Sequence, residues 1–142
     1  YGLYADALPL LELAISENQS DVMALANHGF TCLQLGRLGE ATNSLSRALE
    51  LDPKNQVARL NRAIAFTRAK QYDSALADYD ILRVELPNAY QVRYGLGETA
   101  LGKGDTNGAI EHFKSCLPLV PAGSRDYLQI SNRLAELKTP KP

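Results

Sequence analysis

The stretch EATNSLSRALELDPKN (residues 40–55) decides the fold, because it has two counterparts at one fixed interval. They are SALADYDILRVELPNA (residues 74–89) and GAIEHFKSCLPLVPAG (residues 108–123). An alanine near the start of each stretch and a proline twelve residues later recur every 34 residues, at Ala41, Ala75 and Ala109 and at Pro53, Pro87 and Pro121. Two residue types that share one period indicate an array of structural repeats.

Small and large side chains within each copy are spaced for one face of a helix. Ala41, Leu45 and Ala48 follow steps of four and three, which place them on the same side. Small residues let two helices approach closely, and larger residues fill the space beside them. The segments that precede the three stretches are also spaced as helices, and they are residues 22–36, 56–70 and 90–104. With no alternating strand pattern anywhere, the sequence predicts an all-α chain of antiparallel helix pairs.

The period and the small–large–small spacing resemble those of the tetratricopeptide repeat family. The resemblance implies a right-handed superhelical solenoid of antiparallel helical hairpins that occupies residues 1–142 as a single array. We expect the second helix of a truncated repeat at 1–19, full repeats at 22–55, 56–89 and 90–123, a capping helix at 124–138 and a tail at 139–142.

Turn residues predict where the helices end and begin. Gly36 and Gly104 suit a left-handed C-cap, Lys70 replaces glycine in the middle repeat, and Gly2 takes the equivalent place in the truncated repeat. The residues expected to cap the next helices are Asp21, Asn55 and Asn88.

Pro9 constrains the first helix, because a proline clashes within a helix but is tolerated in its first turn. We therefore expect that helix to start late, with Asp6 as its N-cap.

Composition limits the classes of partner. Fifteen Lys and Arg against sixteen Asp and Glu leave a formal charge of −1, which disfavours nucleic acid as the main partner. No apolar stretch approaches the roughly 18 residues of a membrane span, so we expect a soluble chain without membrane insertion. The cytoplasm is the favoured compartment, although localisation stays open because a targeting signal would lie upstream of residue 1.

Catalytic chemistry is not predicted, and neither a cofactor nor a metal site is expected. His28 and His112 lie at or beside helix-packing positions, and Cys32 and Cys116 lack metal-type or redox-type spacing. We expect both cysteines to be buried, and neither to pair with a histidine. The acidic residues of one segment are expected to be solvated, and they are Asp73, Asp78, Asp80 and Glu85.

The family resemblance implies a concave groove, lined by the first helix of each hairpin, that binds an extended peptide. By helix phase, the groove residues are Met23, Asn27, Phe30, Gln34, Leu60, Asn61, Ile64, Arg68, Tyr94 and Glu98. The terminal helix adds Arg125, Leu128, Gln129 and Asn132. Asn27 and Asn61 resemble the asparagine ladder with which some family members hold a peptide backbone, but asparagine at this position also serves structure or solvation, and both interpretations stay open.

Chaperone-binding members of the family carry a two-carboxylate clamp of five residues. The corresponding positions hold Ala26, Phe30, Asn61, Gln91 and Gly95, of which only Asn61 matches. Recognition of the acidic tail of a heat-shock chaperone is therefore not expected.

The resulting prediction is a non-catalytic scaffold that binds a protein or an extended peptide in its groove. One alternative is self-association through the N-terminal half-repeat, whose Ala7, Leu11 and Ala14 face is expected to be uncovered. Another is the regulatory arm of a larger enzyme whose catalytic domain lies outside this sequence.

Overall fold

The computed structural model describes residues 2–138, and within this range the chain is all-α, as predicted, with no strand. The helices are α1 (Gly2–Glu17), α2 (Val22–Gln34), α3 (Leu38–Leu51), α4 (Gln56–Arg68), α5 (Tyr72–Glu85), α6 (Tyr90–Gly102), α7 (Thr106–Cys116) and α8 (Arg125–Lys138). One turn of 3-10 helix, Leu117–Leu119, follows α7. None of these helices is long and apolar enough to cross a membrane.

The N-terminal caps follow the 34-residue period. The carboxylate of Asp21 accepts a hydrogen bond from the Ala24 amide at 2.9 Å, and the side chain of Asn55 accepts one from Ala58 at 2.9 Å, so both predicted caps are confirmed. The prediction of Asn88 is wrong, since Ala89 is the N-cap of α6 and makes no side-chain hydrogen bond. Ala89 lies 34 residues beyond Asn55, so the helix start keeps the period although its residue cannot cap.

Left-handed backbone ends α2, α4 and α6 in the same way. Gly36, Lys70 and Gly104 have φ angles of 76°, 60° and 85°, which confirms the predicted C-caps and assigns the same conformation to the lysine. Gly2 is instead the first residue of α1, so its prediction as a cap is wrong.

Helix α1 is continuous from Gly2 to Glu17 with Pro9 inside it, and the predicted late start after Asp6 is wrong. An interior proline costs about 3 kcal/mol or more because it removes a backbone hydrogen bond and clashes with the preceding turn. Packing on both sides of the proline offsets this cost. The Tyr4 ring meets Phe30 edge-on at 5.9 Å, while Leu8 and Ile15 join the apolar core.

The chain divides into two compact units, and the boundary between them in the sequence lies between Asp78 and Tyr79, within α5. In the first unit, Leu25, Leu45 and Ala41 are completely buried. A Cβ atom at Gly29 would collide with the Leu45 side chain, so α2 and α3 approach as closely as their small residues allow.

The second unit has its own core around Phe113, which α8 closes with Ile130 and Leu134. A Cβ atom at Gly97 would lie 2.6 Å from Cε1 of Phe113, so this glycine sets the approach of α6 and α7. The hydroxyl of Tyr90 donates to the Asp126 carboxylate at 2.7 Å and fastens α8 to α6. This bond raises the pKa of Tyr90 to about 12.

Asp78 is buried, with 2% of its surface exposed, so its prediction as a solvated residue is wrong. Nε and Nη2 of Arg62 donate hydrogen bonds of 2.8 and 2.7 Å to the Asp78 carboxylate. Nη1 of Arg59 lies 3.4 Å from Oδ1 of Asp78. The positive charges of the two arginines offset the cost of burying the aspartate. Asp80 is exposed, as expected.

One contact recurs in both units. Nη2 of Arg59 donates to the carbonyl of Pro53 at 2.6 Å, and Nη2 of Arg93 donates to the carbonyl of Pro87 at 2.9 Å. Each arginine lies six residues beyond its proline, so the side chain closes the turn between consecutive helices. The guanidinium groups of both arginines are therefore bound to the backbone.

Candidate functional site

Helices α2 and α4 contact each other and carry most of the predicted groove residues. We define the α2–α4 surface as Met23, Asn27, Phe30, Gln34, Leu60, Asn61, Ile64 and Arg68. Met23 is 66% exposed, and Asn27 and Phe30 are also exposed, whereas Leu60 and Ile64 are half-buried. The surface thus offers apolar side chains and amides side by side.

The amides of Asn27 and Asn61 lie at equivalent positions on these neighbouring helices. Within residues 2–138, neither side chain hydrogen-bonds to another group of the chain. An amide can donate to a carbonyl and accept from an N–H, so the pair has the chemistry to hold an extended backbone.

The third equivalent position, Gly95 on α6, has no such group. It is buried, and the Tyr79 side chain lies so close that a Cβ atom would collide with it. The close packing of Tyr79 requires glycine here, and the amide pair has no third member.

The guanidinium of Arg68 already makes one hydrogen bond within the fold. Its Nη1 donates to the Leu33 carbonyl at 3.2 Å, at the C-terminal end of α2. The cation thereby stabilises a helix terminus, where carbonyl groups favour positive charge.

A cleft of about 500 Å³ lies between α6 and α8 in the second unit. The structure brings the remaining predicted groove residues together here, and the lining consists of Tyr94, Glu98, Arg125, Leu128, Gln129, Asn132, Arg133 and Glu136. The Tyr94 ring rests on Phe113 at 5.1 Å, and its hydroxyl accepts a hydrogen bond from Gln129 at 3.4 Å. We call this site the α6–α8 cleft.

Arg133 neutralises the carboxylate of Glu98, which sequence reasoning did not foresee. Its Nε and Nη2 donate to the two carboxylate oxygens at 3.0 and 3.3 Å, and these bonds raise the pKa of Arg133. Arg133 lies four residues after Gln129 and therefore on the same face of α8. This spacing could have identified Arg133 as a cleft residue from the sequence. The cleft therefore presents a paired charge rather than an isolated acid.

A buried polar cluster in the first unit corrects one prediction. The sulfur of Cys32 lies 3.7 Å from Nε2 of His28, so the expectation that neither cysteine pairs with a histidine is wrong. The two residues are four apart on α2, which places them on one face. Nδ1 of His28 also hydrogen-bonds to Ser44 at 2.8 Å.

Burial favours the neutral forms of His28 and Cys32. Desolvation lowers the pKa of His28 and raises the pKa of Cys32, which disfavours the imidazolium–thiolate pair that a nucleophile would need. Across the described range, no three His, Cys, Asp or Glu side chains are grouped to hold a metal ion. We interpret the cluster as part of the packing between α2 and α3.

The sequence and the structure resemble those of known repeat proteins. A tetratricopeptide repeat model matches residues 33–91. Tetratricopeptide repeat protein 34 of Mus musculus is 30% identical over 118 residues, which cover 79% of this chain and 21% of the mouse protein. The chain spans 8 to 21% of the length of the curated relatives it matches.

Two solved structures share the fold. A tetratricopeptide repeat protein from Parabacteroides merdae superposes with a TM-score of 0.83 at 20% identity, over 96% of this chain and 52% of that one. The first tetratricopeptide domain of Spaghetti (RPAP3), bound to the HSP90 peptide SRMEEVD, has a TM-score of 0.71 at 21% identity, over 82% and 89% of the two chains. The matched model, the tetratricopeptide repeat protein of Mus musculus and the shared hairpin fold agree that this chain belongs to the tetratricopeptide repeat family.

Proposed function

We propose that the chain is a protein-interaction scaffold and that its α2–α4 surface binds an extended peptide of a partner protein. The observation that carries this proposal is the pair of amides, Asn27 and Asn61, which lie one repeat apart and have no hydrogen-bonding partner within the described chain. A polar group that binding removes from water needs a new partner, and a peptide backbone supplies both a donor and an acceptor.

Apolar contacts supply the rest of the interaction. Met23 and Phe30 on α2 and Leu60 and Ile64 on α4 flank the amides with surface that water covers in the unbound chain. Burying apolar area contributes roughly 25 cal/mol per Å², and large side chains dominate such interfaces. The expected ligand is therefore an extended segment with apolar side chains on the face opposite these helices.

The ligand differs in chemistry from the peptide bound to the RPAP3 domain. SRMEEVD contains three acidic residues, two glutamates and a final aspartate. Of the five clamp positions in this chain, Asn61 alone matches, and Arg68 donates to a backbone carbonyl of α2. We infer that the α2–α4 surface prefers apolar, weakly charged segments.

Selection from a displayed library of random peptides, followed by calorimetry, tests this function. Asn61→Ala and Asn27→Ala are each expected to lower the affinity for the selected peptide by about 10-fold, equivalent to about 1.4 kcal/mol. The helical circular dichroism of both variants should be unchanged. Asn43→Ala is the matched control, because Asn43 is an exposed asparagine on α3. Equal binding by all three variants would contradict the proposal.

A second candidate function, self-association through α1, is favoured by exposed leucines. Leu3, Leu10 and Leu13 are 86%, 70% and 56% exposed. The face expected to be uncovered, with Ala7, Leu11 and Ala14, is half-buried instead, because α1 packs on α2. Large exposed apolar side chains on one helix favour association.

Light scattering over a wide concentration range tests this candidate. A dimer that Leu10→Glu converts to monomer would support it. A monomer at every concentration would rule out self-association of this chain.

A further inference from the structure

A second cleft of about 490 Å³ lies in the second unit, away from the lining of the α6–α8 cleft. It is formed by the end of α5, the following turn, and the sides of α6 and α7. We define the α5–α7 cleft by its lining residues, Arg83, Val84, Leu86, Pro87, Val92, Arg93, Leu96, His112 and Ser115. None of these residues was predicted to contribute to a binding surface.

The ionisable side chains of this lining are all basic: Arg83, Arg93 and His112. Nη2 and Nη1 of Arg93 donate to the carbonyls of Pro87 and Ser115 at 2.9 and 3.4 Å. These neutral acceptors orient the guanidinium without neutralising its charge. Arg83 pairs through Nε with Asp80 at 2.9 Å, but that pair is largely exposed to water, so it attracts weakly.

Apolar surface adjoins these cations. Val84 is 77% exposed, whereas Val92 is completely buried and Leu96 nearly so, which gives the cleft an apolar floor and an open apolar wall. A cation beside apolar surface suits a ligand that combines an acidic group with an apolar neighbour. Arginine binds carboxylates through paired hydrogen bonds, and reduced solvation strengthens such contacts.

We propose that the α5–α7 cleft binds an acidic segment of a partner protein. A glutamate or aspartate carboxylate of the segment is held between Arg83 and Arg93, and a neighbouring apolar side chain packs on Val84. The chain as a whole carries a formal charge of −1, so the attraction is local to the cleft. The proposal is independent of peptide binding to the α2–α4 surface.

His112 provides a reporter within the cleft. Desolvation is the main cause that lowers its pKa; nearby Asp105 opposes this effect, while Arg83 and Arg93 reinforce it. A carboxylate bound between the two arginines would favour the imidazolium. The pKa of His112 is therefore expected to rise when the cleft is occupied.

Fluorescence anisotropy with labelled peptides of alternating glutamate and leucine tests the proposal, and the same peptides with glutamine in place of glutamate are the neutral comparison. The glutamate peptide is expected to bind at least about 10-fold more tightly. Arg83→Gln and Val84→Asp are each expected to lower the affinity for the glutamate peptide. Lys114→Gln is expected to leave this affinity unchanged, because Lys114 is an exposed cation of α7 outside the lining. Both altered cleft residues are exposed, so their replacement spares the core.

Nuclear magnetic resonance locates the site and separates the sources of negative charge. Peptide addition is expected to shift the amide signals of the cleft and to raise the pKa of His112, with no such rise in Arg83→Gln. Equal affinity for the neutral peptide, or signal shifts confined to other surfaces, would overturn the proposal. Saturable shifts with inorganic phosphate but none with the peptide would also overturn it, because they would assign the cleft to small anions.

Discussion

Lys70 adopts, at φ 60°, the left-handed conformation that Gly36 and Gly104 adopt in the other hairpins. A side chain in this region crowds the following carbonyl and costs roughly 1 to 2 kcal/mol, whereas glycine enters it without that penalty. The middle turn thus carries a local strain that the other two turns lack.

Replacing this lysine with glycine is expected to stabilise the chain. Lys70→Gly should raise the free energy of unfolding by about 1 kcal/mol, because relief of strain exceeds the added entropy of the unfolded backbone. Urea unfolding measures the change. Gly36→Ala is the reciprocal control, with open space around the glycine, and should lower stability by a similar amount. A loss of stability in Lys70→Gly would contradict the strain.

The buried Asp78 supports a second prediction. Asp78→Asn removes the charge that balances Arg59 and Arg62, and breaking a buried ion pair costs about 3 kcal/mol or more. Asp80→Asn, two residues away and exposed, should change stability by less than about 1 kcal/mol. Thermal and urea unfolding of the two variants give the comparison. Similar small effects would show that the Asp78 pair contributes little.

Residues such as Asp78 and Ala89 mark the limit of sequence reasoning at this scale. The period predicted helix phase and the caps at Asp21 and Asn55, because these depend on neighbours in the sequence. The burial of Asp78 depends on Arg62, sixteen residues away on another helix. A single sequence without its fold does not identify that partner.

At the scale of the element, α1 and α8 show how packing on a neighbour decides a terminal helix. Helix α1 persists through Pro9 because it packs on α2, which local propensity alone did not indicate. Helix α8 is held by apolar contacts and by the Tyr90–Asp126 hydrogen bond. Its attachment therefore includes a group that titrates.

The attachment of α8 is expected to weaken at alkaline pH. The hydrogen bond to Asp126 is the main cause that raises the pKa of Tyr90 to about 12, from 10.0 in the unfolded reference. The stabilisation is present below pH 10 and is lost as pH rises towards 12. Hydrogen exchange is too fast there, so helical circular dichroism during urea unfolding at pH 9 to 12 is the suitable measurement. Tyr90→Phe should remove this component of the pH dependence, and an unchanged profile would show that the bond does not contribute.

At the scale of the whole molecule, each unit contains an apolar core and an open surface with a different chemistry. The α2–α4 surface offers neutral amides and apolar side chains, whereas the α5–α7 cleft offers cations. The near-neutral chain supplies little long-range attraction of its own. Salt should therefore distinguish the two sites.

Raising the salt concentration from about 0.05 to 0.5 M is expected to lower the affinity for the acidic peptide several-fold, because salt screens charge pairs. The affinity of the α2–α4 surface for its peptide should change by less than about 2-fold, because amide contacts are not screened in this way. Parallel anisotropy titrations measure both. A loss of the same size at both sites would contradict the division.

One of the two clefts in the second unit could be predicted from the sequence, and the other could not. Helix phase placed Tyr94, Glu98 and four residues of α8 on what the structure shows as one cleft, because phase follows from the repeat. The α5–α7 cleft escaped prediction, since Arg83 and His112 have no special spacing and meet only after α5 and α7 have packed on α6. Repeat patterns indicate which side of a helix faces its partner. They do not indicate where clefts form between the other sides of neighbouring helices.

The arginine that closes each inter-helix turn has a consequence for protein engineering. Arg59 with Pro53 and Arg93 with Pro87 are each contained within a span of seven residues that crosses a repeat boundary. A cassette cut at residue 55 or 89 would separate the donor from its carbonyl and leave a guanidinium to find another acceptor. Repeats exchanged between arrays should therefore be joined within a helix, so that the arginine and the proline are transferred together.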